Sequence, residues 1–335
     1  MNRARTLAPG LALAALLATV STPVGTALPM VGAPVLALAG GAVAGMLLRR
    51  KAVTGVLFDP GLDLARQRLL GVAIVLLGLG LPMGSVVSVG RETAIVLIGT
   101  LVVGAVAAFV VGRMLAVDRE SATLVAVGTT ICGASAIAAA TAVLRPDRQR
   151  VAYALGTIFV FNVAAVLVYP PLGRALGMSE EAFGLWAGTA INDTSSVLAA
   201  GVVFGAGAAH FAVIVKLVRS LAIVPLCIGL HLGRRRIAAE SGAPAGSLRQ
   251  AFPLFVVLFV AASVIAGLDV LPAALTHPLA TTSSWLIAVV LAAIGTSLSI
   301  DRLRSAGVRP LVLGGALGLI LGISSLGLMY VTGWC

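Results

Sequence analysis

Residues 210–230 read HFAVIVKLVRSLAIVPLCIGL, an apolar run long enough to cross a bilayer and interrupted by two cations, Lys216 and Arg219. Near the centre of a spanning helix each cation costs roughly 2.5–3.5 kcal/mol, so such residues face a cavity, a counter-charge or a substrate. Spaced three apart, the two side chains share one helix face. That face is the first candidate site.

The rest of the chain has the same character. Of its 335 residues 59% are hydrophobic and only 10% charged, with a mean hydropathy of +1.10. This composition excludes an ordinary soluble domain and predicts an all-α polytopic membrane protein. A net charge of +11 would suit nucleic acid, but the basic residues gather at the ends of apolar runs and not on one patch, as the positive-inside rule demands. Cys132, Cys227 and Cys335 lie far apart and form neither a disulfide framework nor a zinc cluster, and no cofactor motif occurs.

Apolar runs of about 18–25 residues predict eleven helices. They cover 7–26, 31–48, 69–89, 93–114, 122–144, 151–172, 182–206, 210–232, 251–268, 278–299 and 310–332. Arg3 and Arg5 ahead of the first core also permit a cleaved signal peptide, although no A-x-A site closes it. With the N-terminus in the cytoplasm, 17 of the 23 Lys and Arg fall on inner segments and 4 on outer ones, the other two being Lys216 and Arg219. One segment dissents: Arg145, Arg148 and Arg150 fall outside. Either the rule is violated there, or the preceding helix does not cross in the ordinary way.

That helix carries Thr129-Thr130-Ile131-Cys132-Gly133-Ala134-Ser135 at its middle. Hydroxyls beside glycine fit a discontinuous helix, whose second half would present free N–H groups from Gly133 to Ser135, an anion site. The tenth helix carries Gly295-Thr296-Ser297 in its second half. The organisation expected is a single transmembrane domain, 1–335, with an extra helix at 1–30 and five-helix sets at 31–174 and 180–335. An odd number per set inverts one against the other, as in inverted-repeat transporters with broken helices at the midplane. Chance coincidence of two Gly-Ser-Thr clusters is the bland alternative. Gly314, Gly318 and Gly322 read as helix packing, within the chain or between copies of a homo-oligomer.

The most polar intramembrane run is Asn192-Asp193-Thr194-Ser195-Ser196, within Gly188 to Gly201. Asn192 or Asp193 could simply cap a half-helix starting at Thr194. Alternatively Asp193, the only acidic residue deep in a span, titrates or pairs with Lys216, coupling transport to a proton or ion. Asn162 is a weaker candidate, read as a helix–helix hydrogen bond.

Thr130 to Ile137, Gly188 to Gly201, Lys216, Arg219, and Ala293 to Gly295 through Arg304 to Gly307 together resemble the YeiH-type family of bacterial membrane proteins, which carry a sulfate-exporter label. The resemblance implies a ten- or eleven-helix inner-membrane protein. Its inverted-repeat architecture would be that of bile-acid-type and sodium/proton-antiporter-type transporters. Where that family has a His before the carboxylate and a Gln three positions after it, this chain has Asn192 and Ser196.

These readings predict a secondary transporter of a small anion, sulfate, sulfite or sulfonate-like, exchanging a coupling proton or sodium and surrounded by lipid. Its substrate site would combine Cys132, Gly133, Ala134, Ser135, Asn192, Asp193, Thr194, Ser195, Ser196, Lys216, Arg219, Gly295, Thr296 and Ser297, with coupling through Asp193 and Lys216. The competing reading is a cation/proton antiporter built on Asn192-Asp193. A membrane sensor or enzyme is less favoured, since no H-E-x-x-H or G-x-S-x-G occurs and His210, His231 and His277 fall at helix ends or in loops.

Overall fold

The computed structural model describes residues 3–27, 32–49, 57–144, 146–223, 225–226, 228–230, 232, 254–268, 272–296 and 308–334. Ser297, Asp301, His231, Cys227, Cys335 and the polar connector at 233–250 lie outside them. Every regular element among the described residues is helical. Four helices are long and apolar enough to cross a membrane, within Thr6–Gly25, Met83–Met114, Gln149–Ala175 and Val308–Val331. The chain divides into two compact units, Met1–Ser88 with Leu254–Ser299, and Val89–Pro253 with Ile300–Cys335.

The first unit holds α1 (Arg3–Ala27), α2 (Gly32–Arg49), α3 (Asp59–Leu64), which continues through a π-helical turn into α4 (Leu70–Gly78), α12 (Leu254–Gly267) and α13 (Ala273–Thr296). Small residues let its helices approach closely. A Cβ on Gly41 would meet the Ala292 carbonyl oxygen at 2.1 Å, and one on Gly295 the Leu38 carbonyl oxygen at 2.2 Å. Gly295 and Thr296 therefore serve the α2–α13 contact, and α13 is described as far as Thr296, within the expected Gly295-Thr296-Ser297 interruption.

The second unit holds most of α5 (Met83–Met114), then α6 (Arg119–Val127), a π-helical turn (Gly128–Cys132), α7 (Ala134–Leu144), α8 (Arg148–Ala175), α9 (Glu180–Ala190), α10 (Thr194–Phe204), α11 (Ala206–Ser220) and α14 (Val308–Val331). Here the structure corrects the span assignment twice. A continuous helix from Asp118 to Leu144 would be about 39 Å long at 1.5 Å per residue. Yet Arg150, six residues after Leu144, bonds to Glu120 and lies 3.3 Å from the Asp118 carboxylate. A Cβ on Gly128 would sit 2.8 Å from Ile137 Cδ1. Residues 119–144 thus form a helical hairpin that reverses at Gly133. Its mouth lies at the N-terminal end of α8, where the Asp118 carboxylate caps α6 through the Ser121 N–H at 3.0 Å.

The run 182–206 folds back in the same manner. Ser179 caps α9 through the Ala182 N–H. The Glu180 carboxylate accepts the Ala208 N–H at 3.1 Å, at the start of α11, and Phe183 stacks on Phe204 with centroids 3.9 Å apart. Arg174, at the C-terminal end of α8, donates to the Val203 carbonyl and lies 5.7 Å from the Phe204 ring centroid. The second hairpin therefore has its mouth at the opposite end of α8 from the first. Gly184 and Gly188 allow α9 to lie on α11, since a Cβ at either would fall within 3.0 Å of Phe211 or Val215. On α14, Gly314 packs on Thr157 and Phe161 and Gly322 on Tyr169, both within the chain, while nothing lies within 4 Å of a Cβ on Gly318.

Folding back explains one of the dissenting arginines: Arg150 falls on the same face as Asp118 and Arg119, in keeping with the charge rule, while Arg145 lies outside the described residues. In a background lacking the three cysteines, Ala116→Cys and Gln149→Cys react with an impermeant maleimide from one membrane face, and Ala175→Cys and Ala206→Cys from the other. Labelling of 116 and 149 from opposite faces would restore two ordinary crossings.

Candidate functional site where two hairpin tips meet

The two tips touch about halfway along α8. Gly133 has φ 66° and ψ −131°, a conformation open in practice to glycine alone. A Cβ there would also lie 2.8 Å from Asp193 Cβ and 3.0 Å from Asp193 Oδ1. At the second tip Ile191 and Asp193 are extended, with φ/ψ of −80°/137° and −100°/143°. The Asp193 N–H donates to Asn162 Oδ1 at 3.2 Å, so Asn162 does make an interhelical bond, and makes it to the tip.

Two half-helices begin at this junction, α7 and α10. By helix geometry the N–H groups of Ala134, Ser135 and Ala136 have no intrahelical acceptor, and neither do those of Thr194, Ser195 and Ser196. Asp193 caps α10: its Oδ2 accepts the Ser195 N–H at 3.1 Å and the Ser195 hydroxyl. Ala134 is exposed and Ser135, Asp193 and Ser195 are partly so, whereas Cys132, Asn192, Thr194 and Ser196 are buried. The junction therefore presents N–H groups and hydroxyls to an open side, an arrangement that attracts anions.

The cations lie behind it on α11. Lys216 is 0% exposed and donates from Nζ to the Ile191 carbonyl oxygen at 2.6 Å. The sequence pairs Lys216 with Asp193; the structure instead sets the ammonium on the C-terminal end of α9, where the helix dipole is negative. The Asp193 carboxylate still acts on Lys216 electrostatically. Arg219, one turn on, is 1% exposed, and its Nε and both Nη atoms have no partner among the described residues. Cys132, at the end of the first tip's π-helical turn, is 1% exposed, and Ser220 on α11 donates its hydroxyl to the Lys216 carbonyl oxygen at 2.8 Å.

Of the residues expected in the site, Cys132 to Ser135, Asn192 to Ser196 and Lys216 thus meet at one junction, and Arg219 belongs to the same unit, one turn beyond Lys216 on α11. Gly295 and Thr296 belong to the other unit, in its α2–α13 contact. Sequence reading missed the polar ties that hold α14 beside α9, Trp186 Nε1 to the Gly322 carbonyl at 3.0 Å and Thr189 Oγ1 to Ser325 Oγ at 2.6 Å. It also missed the Glu180 cap, whose only signal is an acidic pair, Glu180-Glu181, facing the Gly205-Ala206-Gly207 turn.

An all-α membrane protein with paired re-entrant hairpins is the class these features define. The chain belongs to the YeiH-type family described as conserved hypothetical protein 698, whose model matches residues 9–314, as the motifs at 130–137 and 188–201 indicate. It is similar to UPF0324 membrane proteins of Streptococcus pyogenes serotype M6 (36% identical over 336 residues), Streptococcus mutans (34% over 336) and Fusobacterium nucleatum (33% over 344). Each comparison covers 97% of this chain and 97–98% of the relative. No solved structure matches it.

Gly133→Ala adds both backbone strain and a clash with Asp193. A loss of about 1–3 kcal/mol is expected, read as a lower thermal midpoint of the purified protein. An unchanged midpoint would mean that the tips do not meet as described.

Proposed function

We propose that the chain is a secondary active transporter of a small anion, sulfate, sulfite or sulfonate-like, working by alternating access in the bacterial cytoplasmic membrane. The observation that carries this reading is the meeting of two hairpin tips, Gly133 on Asp193, from opposite ends of α8. Carriers bind substrate near the midplane where half-helices end, because only there does an otherwise sealed backbone offer polar groups to a ligand. With one hairpin reaching the site from each face, a shift of either tip opens the site to one side alone.

An anion is favoured by charge. Among the described residues the unit buries two cations, Lys216 and Arg219, while the Asp193 carboxylate at the junction is partly exposed, and two half-helix N-termini add partial positive charge. The face bearing Arg113, Arg119 and Arg150 is the cytoplasmic one on the positive-inside rule. The chain carries out no covalent chemistry on this reading, and a proton or sodium ion supplies the driving force.

One observation favours the competing antiporter: Asn192 is 4% exposed with an unpartnered Oδ1, next to the partly exposed Asp193 carboxylate, so two oxygens stand where a cation could bind. Proteoliposomes separate the two. On the anion reading, labelled sulfate, sulfite or methanesulfonate accumulates by counterflow, and Lys216→Ala lowers the rate at least about tenfold, the effect of losing one buried charge-assisted bond. Sodium-driven proton movement abolished by Asp193→Asn, with no counterflow of any anion, would replace the carrier of anions by the antiporter.

A further inference from the structure

Lys216 and Arg219 read as equals in the sequence, and the structure separates them. Lys216 has a complete structural task, since its ammonium closes the C-terminal end of α9 at the Ile191 carbonyl. Arg219 has none. Its guanidinium is as deeply buried, yet Nε and both Nη lack any acceptor among the described residues.

A buried, unpaired guanidinium is among the costliest arrangements in a protein, because five N–H donors and a full charge lose water together. The side chain has no means of escape by giving up its proton. A carboxylate is the usual remedy, and the described residues do not supply one. The Asp193 carboxylate is taken up at the start of α10. Among the described residues no oxygen accepts from the Arg219 guanidinium. Asp118, Glu120 and Asp147 are drawn to Arg150, and Glu180 to the start of α11.

We infer that Arg219 is the ligand of the transported anion and that it takes an oxyanion presenting two oxygens to the guanidinium fork, a carboxylate, sulfonate or sulfate, while Lys216 holds the backbone of the second tip and leaves the anion to its neighbour. The inference rests on the carrier reading and narrows it. A spherical halide meets the fork at one point and leaves donors unmatched, whereas two coplanar oxygens match parallel N–H groups, as in arginine–carboxylate pairs.

The test is thermal stabilisation of the full chain in lipid nanodiscs, with Tris base titrated by the acid of each anion so that acetate, methanesulfonate, sulfate, chloride or bromide is the sole anion. A ligand of the folded state raises its apparent stability by mass action. Wild type is expected to be stabilised, in a saturable manner, by the oxyanions and not by the halides. Arg219→Lys keeps the charge and removes the fork, and should weaken the oxyanion effect at least about tenfold. The wild-type panel stands alone should that variant fail to fold. Equal stabilisation by halides and oxyanions, or an Arg219→Lys protein that binds oxyanions as wild type does, overturns the inference and leaves the anion carrier standing. No response to any anion overturns both.

Discussion

A helix that stops inside hydrocarbon leaves N–H or C=O groups with no water to receive them, each costing several kcal/mol unless a protein group takes over. The second unit contains two such stops, and its polar residues are arranged around them. Asp193 closes the start of α10, Lys216 closes the end of α9, and Asn162 of α8 accepts the N–H of Asp193 itself. Gly133 permits the chain to reverse at the other tip without a side chain that would strike Asp193. These residues allow irregular backbone to exist at this depth, and irregular backbone is the only kind that offers binding groups there.

Satisfaction at the tips is paired with a second kind of contact at the mouths. Arg150 gathers Asp118, Glu120 and Asp147 at one end of α8, and Arg174 and Glu180 clasp the α10–α11 turn at the other. The Arg150 group is substantially solvent-exposed, and pairs of that kind contribute only about 0.2–1 kcal/mol each. They fix which end of α8 each hairpin returns to more than they stabilise the unit. The stabilising mass is the apolar packing around Phe183, Trp186 and Leu185 and around Leu124, Ile137 and Ile158.

Charge then separates what packing leaves alike. Among the described residues Asp193 and Lys216 are consumed in closing helix ends, and the Arg219 guanidinium is left without an acceptor.

The sequence by itself determined that the chain is helical and lies in a membrane, since no soluble fold tolerates 59% hydrophobic residues spread over such runs. It also marked 129–135 and 192–196 as interruptions, because hydroxyls, glycine and Asn-Asp compete with the helix ladder locally. It offered Asp193 either as a cap or as a titrating partner of Lys216, and it put Lys216 and Arg219 on one face and read the odd arginines at 145–150 as a violated charge rule or an abnormal crossing. Direction was beyond it. A run of 23 apolar residues that crosses and one that returns have the same composition, because what decides between them is whether the far end finds Glu120 or Gly205 across space. The partner of Lys216 was likewise a tertiary outcome: a backbone carbonyl carries no signature in the sequence, and only folding brought Ile191 within 2.6 Å of it. Glycine in a span serves close helix packing as readily as a break, and the nearness of α2 to Gly295 is a tertiary contact with no signature in the sequence.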